Sequence, residues 1–511
     1  MRLLTSYWPG VALVLISATI GLLYYTDYGM SWDEPAQHAI GKITYEYALH
    51  GDTALLTYVD RALGAGFELP LYAMEQCLRL HDTRAIYLAR HLATHLFFLL
   101  SVFCGYALAW RLFRDQFIAC LAFVLIAFHP RLYAHSFFNT KDIPFLSAFL
   151  VALFFSHIAL ETNKGAWHFV LGLACGYATS IRLIGMIFVP IIGLFLLIDL
   201  SRAFPSKAQV RVGVRNAALY AVGFCGMLYV AWPILWSRPF FHLEESIRTL
   251  AHIAWTGEVL FRGRIYPGEA LPWDYVPVWC SISIPELWLL AGVAGSVWVI
   301  VAFARQPVRH MTSTPGRHYL VYVACTIGPI ISMTVLHSGN IDDWRHLYFI
   351  YPSFIMLALI TVSKLAQARR RRAVQVACAL QVLATGLFMI QSHPHQQVYF
   401  NNLLPHSREY LRTNYDLEYW GVAYMQGLEY ILAHDASAAI TVGATFDVPV
   451  QNNAMLLPEA SRRRIRVVRD DGHADYFITN FRMHPGDFNY PKVYYDITEL
   501  NSTILRVYKL H

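Results

Sequence analysis

A polytopic all-α membrane bundle of about eleven spans, followed by a small α/β domain outside the membrane, is the fold this sequence predicts. Three observations lead there. The 511-residue chain is 56% hydrophobic and only 14% charged, with a mean hydropathy of +0.39, which no soluble globule matches. Apolar runs of spanning length recur along it. Basic residues collect in alternate loops.

A span needs about 20 apolar residues. Candidates are centred near 8–25, 86–109, 116–129, 143–160, 166–181, 184–200, 216–236, 283–304, 319–336, 347–363 and 374–391, the third and fifth being short. The first run follows Met1 and Arg2 and lacks a small-residue cleavage site, so it reads as a retained anchor with a cytoplasmic N-terminus. Alternate loops then face inward and hold Arg111 and Arg114, then Arg202, Lys207, Arg211 and Arg215, then Arg305, Arg309 and Arg317, then Lys364 with the ARRRR run at 368–372. That is the positive-inside pattern. The loops near 26–85, 130–142, 237–282 and 337–346, and everything after about 392, face outward.

The chain divides into a membrane body, 1–391, and a tail, 392–511. In the first outer loop, Trp32, Ala36, Ile40, Ile43 and Tyr47 repeat at helical spacing, which predicts a helix lying on the bilayer surface. In the tail, AAITVGA, ADYFITN, KVYYDITEL and STILRVYKL read as strands and MLLPEASRRR as a helix.

The net charge of +6 needs no nucleic acid, because the arginine run sits where a stop-transfer cluster meets anionic lipid. The eight cysteines are isolated and most fall inside spans, so neither a CxxC metal site nor a disulfide framework is indicated. No Walker loop, GxSxG elbow or dinucleotide fingerprint is present, which leaves ATP-driven transport, serine hydrolysis and nicotinamide chemistry without a basis. The energy for any reaction must arrive with the substrate.

Candidate chemistry sits in the outer loops. GMSWDEP places Asp33 and Glu34 at the outer rim of the bundle, where a carboxylate can act as general base on an incoming hydroxyl. Equally, the pair can solvate the end of the first span or cap the helix starting at Pro35. FHPRLYAHSFFNTKDIPF carries Arg131, His135, Lys141 and Asp142; its cations can bind a phosphate or snorkel to headgroups. Both loops put an acid just before a proline-initiated helix on the same face, and a bundle can bring those acids together.

HSGNIDDWRHLYFIYP gathers His337, Asp342, Asp343, Arg345 and His346 in one outer turn. Arg345 there either binds an anion or pairs with a neighbouring aspartate. Arg182, in ATSIRLIG, is a further outward cation flanked by apolar spans, facing either lipid phosphate or a neighbouring acid. The 237–282 loop mixes aromatics with Arg262, Arg264 and Asp274, either as an interfacial belt or as a sugar platform. Trp32, Trp273 and Asp274 are the candidate sugar or acceptor contacts. His91 and His95 form an HxxxH pair, better read as two satisfied polar side chains than as metal ligands.

The segments WDEP, HPRLYAHSFFNTKDIPF, LPWDYVPVW and DDWRHLYFIYP resemble bacterial membrane glycosyltransferases of the GT-C superfamily, of the protein O-mannosyltransferase and aminoarabinose-transferase type. HPHQQVYFN and YDLEYWG extend the resemblance into the tail. It implies a bundle of about a dozen helices that takes sugar from a polyprenyl-phosphate donor, with the first-loop acid at Asp33, Glu34 beside it, and the second acid at Asp142. The sequence departs from the eukaryotic mannosyltransferases in lacking a lumenal β-trefoil insert, which puts protein as the acceptor in doubt.

Independently of the resemblance, an acceptor hydroxyl must lose a proton as it attacks, whereas a leaving phosphate needs cations more than an acid. The expectation is an inverting transferase in the bacterial cytoplasmic membrane, acting at its outer face on a lipid, glycan or protein hydroxyl. Arg345, Lys141, Arg131, Arg182 and His346 are the candidate phosphate ligands. No cofactor is demanded; a divalent metal stays open, since relatives differ. The alternative is a translocator or scaffold for lipid-linked sugars.

Overall fold

A computed structural model describes residues 2–251, 257–336, 341–367, 369–469 and 473–511. Met1, His337 and Ala368, which the sequence reading placed at the inner terminus, in an outer turn and in the arginine run, lie outside them. The chain forms a mostly helical polytopic bundle with a small C-terminal domain built on a β-sheet.

Among the described residues, nine helices are long and apolar enough to cross a bilayer: Ser6–Tyr24, Thr83–Phe113, Asp142–Thr162, Leu183–Ala203, Lys207–Ala231, Glu286–Arg305, Thr314–Val335, Arg345–Leu365 and Arg371–Gln391. The two short runs behave differently from simple spans. Gln116–Ala127 continues after a 56° bend into Pro130–Phe138, because Pro130 cannot supply the hydrogen bond that would carry the helix on. Gly165–Ile181 is a 17-residue helix. Its Gly172 and Gly176 lie against the backbone of Tyr220 and Phe224, where an added Cβ would stand 2.2 and 2.4 Å from their carbonyl oxygens. Small residues there let Gly165–Ile181 and Lys207–Ala231 approach closely.

The first outer loop forms the expected helix, Glu34–His50, and then a second, Glu68–Cys77. Gly41 packs on the Glu68 backbone. Fully buried Arg90 holds this loop to the second span by pairing with Glu68 and, at 2.7 Å, Glu75; His38 bonds the other Glu75 oxygen at 2.8 Å.

The fourth outer loop contains a hairpin not expected from the sequence, β1 (Glu258–Phe261) and β2 (Arg264–Pro267). Its two-residue turn has Arg262 and Gly263 both at positive φ, the mirror-image turn that matches strand twist.

In the tail, β3 (Ile440–Ala444), β4 (Ile465–Val467), β5 (Tyr476–Thr479), β6 (Lys492–Glu499) and β7 (Ser502–Lys509) form one sheet in the order β4-β3-β5-β7-β6. β3 is parallel to β4 and β5, whereas β7 is antiparallel to β5 and β6. Four of these strands are the apolar runs read from sequence; β4 is a short edge strand. Helix Tyr424–His434 covers the sheet, with Gly427 against Ile478 and Leu505.

Candidate active site

Residues 29–33 are clamped between body and tail. The Met30 N–H donates to Asn453 Oδ1 (3.0 Å), Asn453 Nδ2 donates back to the Met30 carbonyl (3.1 Å), and the Trp32 N–H donates to the Trp420 carbonyl (2.9 Å). A Cβ on Gly29 would stand 2.2 Å from the Val422 carbonyl oxygen, so only glycine fits this crossing. The clamp fixes where helix Glu34–His50 begins.

Asp33 occupies the N-cap position of that helix, yet its side chain makes no capping bond. Glu34 does local work instead: its carboxylate accepts from the Ser31 N–H (2.7 Å) and bonds His91 Nε2 (2.8 Å), with 1% of its side chain exposed. Adjacent acids on one turn point about 100° apart, and here one is spent on packing while the other is left in the cleft. His95 bonds Ser136 Oγ (2.7 Å), so His91 and His95 go to separate partners.

The Asp33 side chain is 43% exposed. Loss of surrounding water raises its carboxyl above the ordinary range; Arg345 opposes this, while Asp342 and Asp142 add to it. A carboxylate so raised is a stronger base than a free one.

Arg345 joins the acids. Its Nη1 lies 3.2 Å from Asp33 Oδ2 and 3.5 Å from Asp142 Oδ2, its Nη2 lies 3.2 Å from Asp342 Oδ2, and the guanidinium stacks 4.6 Å from the Trp420 ring centroid. Asp142 begins its helix but does not cap it either: Asn139 Oδ1 accepts from the Asp142 N–H (2.8 Å) and the Lys141 N–H (3.2 Å). The Asp142 carboxylate therefore stays available to Arg345, to Arg182 and to Asn139 Nδ2 (2.9 Å). The two acids that the loops place before helices are thus bridged by one arginine.

Lys141 donates to the Gly64 carbonyl, and burial, with Arg182 close by, pushes its ammonium down to about 8. His346 is half-buried within electrostatic reach of Arg345, Arg182 and Asp142.

Asp342 and Asp343 both adopt positive φ, 58° and 63°, a region that costs a non-glycine residue about 1–3 kcal/mol. The backbone turn sends them apart. Asp342 faces the cleft between Arg345 and Arg482 (2.8 Å). Asp343 points inward, accepting from Arg131 (2.8 Å), Tyr348 (2.8 Å) and Tyr419 (2.7 Å). Arg131 is fully buried there beneath Trp279 and Phe400, away from Asp33 and Asp142.

Trp32 lies under the Arg482 guanidinium, 5.6 Å from it. Trp273 is exposed, and Asp274 pairs with Arg262 at 2.7 Å; neither joins the Asp33–Arg345 cluster. Sequence reasoning missed Asn139, Tyr419, Trp420 and Arg482. The segments HSFFNTKD and YDLEYWG flag the first three, whereas no local pattern singles out Arg482.

A cavity of about 480 Å³ is lined by Ile20, Leu125, Trp288, Tyr351, Met389 and Ile390. His129 and Tyr133 face it, while His135 and Asn139, on the opposite side of the bent helix, face Trp420 and Asp142. Helix Pro130–Phe138 thus separates this apolar space from the acids.

The pattern of the dolichyl-phosphate-mannose-protein mannosyltransferase family matches residues 74–233, less than a third of the chain. No curated protein matches the sequence. Among solved structures, ArnT from Cupriavidus metallidurans in the apo state is similar with a TM-score of 0.51 at 12% identity, over 97% of this chain and 98% of that one. The same protein bound to undecaprenyl phosphate gives 0.51 at 11% identity, over 98% and 97%. An archaeal oligosaccharyltransferase, AglB from Archaeoglobus fulgidus in complex with an inhibitory peptide and a dolichol-phosphate, gives 0.49 at 11% identity, over 94% of this chain and 70% of that one. The chain shares the overall fold of ArnT.

Proposed function

We propose that this protein transfers a sugar, with inversion, from a polyprenyl-phosphate donor to an acceptor hydroxyl at the outer face of the bacterial cytoplasmic membrane. The observation that carries the reading is Asp33: a water-reachable carboxylate, free of any capping role, tied through Arg345 to buried Asp142. The ArnT structure that shares this fold binds undecaprenyl phosphate, and the matched family is described by a dolichyl-phosphate sugar.

In this mechanism Asp33 accepts the proton of the acceptor hydroxyl as its oxygen attacks the anomeric carbon. The bond from that carbon to the phosphate oxygen breaks in the same displacement, which inverts the centre. Phosphate leaves as an anion, stabilised by cations already in place. Arg182, paired with Asp142, would form the phosphate side together with Lys141 and His346. Arg345 lies between base and phosphate. Arg131 supports the Asp343 turn, and Glu34 anchors the helix that presents Asp33.

The test is release of polyprenyl phosphate from a panel of polyprenyl-phosphate sugars by purified protein in nanodiscs, wild type beside Asp33→Asn. Loss of a general base lowers the rate by about 10² to 10⁴. Retention of more than half the activity removes Asp33 from the role. A translocator or scaffold would bind the donor and release no polyprenyl phosphate from it.

A further inference from the structure

At the opposite end of the bundle from Asp33, His157 and Glu161 share one face near the end of helix Asp142–Thr162, one turn apart. His318, near the start of Thr314–Val335, lays its ring on that of His157, with centroids 3.5 Å apart and planes 17° from parallel. Both imidazoles are buried. His157 Nε2 pairs with Glu161 Oε1 at 3.0 Å; among the described residues His157 Nδ1 and His318 Nε2 have no partner. Tyr322, one turn beyond His318, is fully buried with its hydroxyl unpartnered too.

Leaving such groups unpaired costs about 1–3 kcal/mol each, and mutual stacking does not satisfy ring nitrogens. One ligand atom from each of His157, Glu161 and His318 lies within 4.8 Å of the others. Around a tetrahedral Zn²⁺ such atoms stand about 3.4 Å apart, so closure needs side-chain adjustment of about an ångström. Two neutral imidazoles and a carboxylate are a donor set suited to zinc, with a fourth position left for water. Arg111 holds the second Glu161 oxygen, orienting the carboxylate as an outer partner does in metal sites.

We propose that His157, Glu161 and His318 bind one Zn²⁺ that ties together the cytoplasmic ends of two spans. Glu161 lies 19 residues along the helix from Asp142, about 28 Å at 1.5 Å per residue, so this metal cannot touch the transfer site. The inference is independent of the transferase reading. The clamp would fix the spacing of two helices whose outer ends carry Asp142 and lead toward Arg345.

The experiment uses full-length protein without a polyhistidine tag, in nanodiscs, stripped with EDTA and dialysed against Zn²⁺ with a weak competing chelator. Metal content is read by mass spectrometry and stability by thermal melting. Wild type should retain about one Zn²⁺ per chain and melt higher with zinc. His318→Phe, which keeps the ring stack, should bind at least about tenfold more weakly and lose the zinc-dependent rise. Equal retention by wild type and His318→Phe, or none by wild type, overturns the proposal. If His318→Phe does not fold, Glu161→Gln at its part-exposed position is read by the same two criteria, and Co²⁺ absorption of the wild type reports the coordination directly.

Discussion

Replacing Arg345 by glutamine tests the central electrostatic link. Arg345 lowers the Asp33 carboxyl, so its removal should raise it. Unit charges about 4 Å apart at an effective dielectric of about 20 interact by about 4 kcal/mol. With 43% of the Asp33 side chain exposed, screening cuts this to about 1 kcal/mol, or somewhat under one pKa unit. On the proposed mechanism Asp33 acts as base only when deprotonated, so the acidic limb of kcat/KM against pH should move upward by that amount, and turnover should fall. The fold should survive, because Asp142 keeps Arg182 and Asn139 and Asp342 keeps Arg482. The assay is polyprenyl-phosphate release across pH 4–9, with thermal melting as the control. An acidic limb that stays put, or moves downward, refutes the assignment of Asp33 as the base coupled to Arg345.

Three further outcomes follow from the same geometry. Lys141 loses its charge as pH rises through about 8, so donor KM should climb above that pH in the wild type; Lys141→Arg, which stays protonated, should flatten the climb. Glu418 is buried, and burial pushes its carboxyl up to about 8. Its folded pKa is raised, so its stabilising contribution is present below about 4.5 and is lost as pH rises toward 8. Melting temperature should decline over that window and decline less in Glu418→Gln. Arg90→Met strands Glu68 and Glu75 in the interior and should cost about 3–5 kcal/mol, whereas adding Glu68→Gln and Glu75→Gln should recover most of it in thermal melts.

Spans and tail strands were legible because each is set by a local apolar pattern. β4 was not, being three residues at a sheet edge, and neither was the hairpin, whose turn depends on two positive φ angles. Within the site, the loops bearing Asp33, Asp142 and Arg345 could be read, since acids before prolines and a cation on the outer face stand out locally. Their pairing could not. Asp33 and Glu34 are neighbours that charge and spacing alone do not separate, whereas in the fold Ser31 and His91 hold Glu34 and Arg345 reaches Asp33. Arg131 and Arg345 both sit in outer loops, and helix packing alone decides that one faces buried Asp343 and the other the cleft. His157 and Glu161 form a visible i,i+4 pair, but the ring that completes the cluster lies on a distant span.

The tail follows the same logic at larger scale. Sequence composition divides the chain at about 391, which suggests a catalytic body with an appendage. Yet the cleft is closed by tail residues: Trp420 lies on the Arg345 guanidinium, Arg482 holds Asp342, Tyr419 bonds Asp343, and Asn453 pins the Met30 backbone three residues before Asp33. The strained pair Asp342–Asp343 needs partners on both sides to hold its backbone, and the tail supplies one on each. Removing 392–511 would therefore strip the aspartate turn of two of its partners and free the loop that presents Asp33. On the proposed mechanism the body alone should not transfer sugar, because Asp33 and Arg345 are positioned from the tail side.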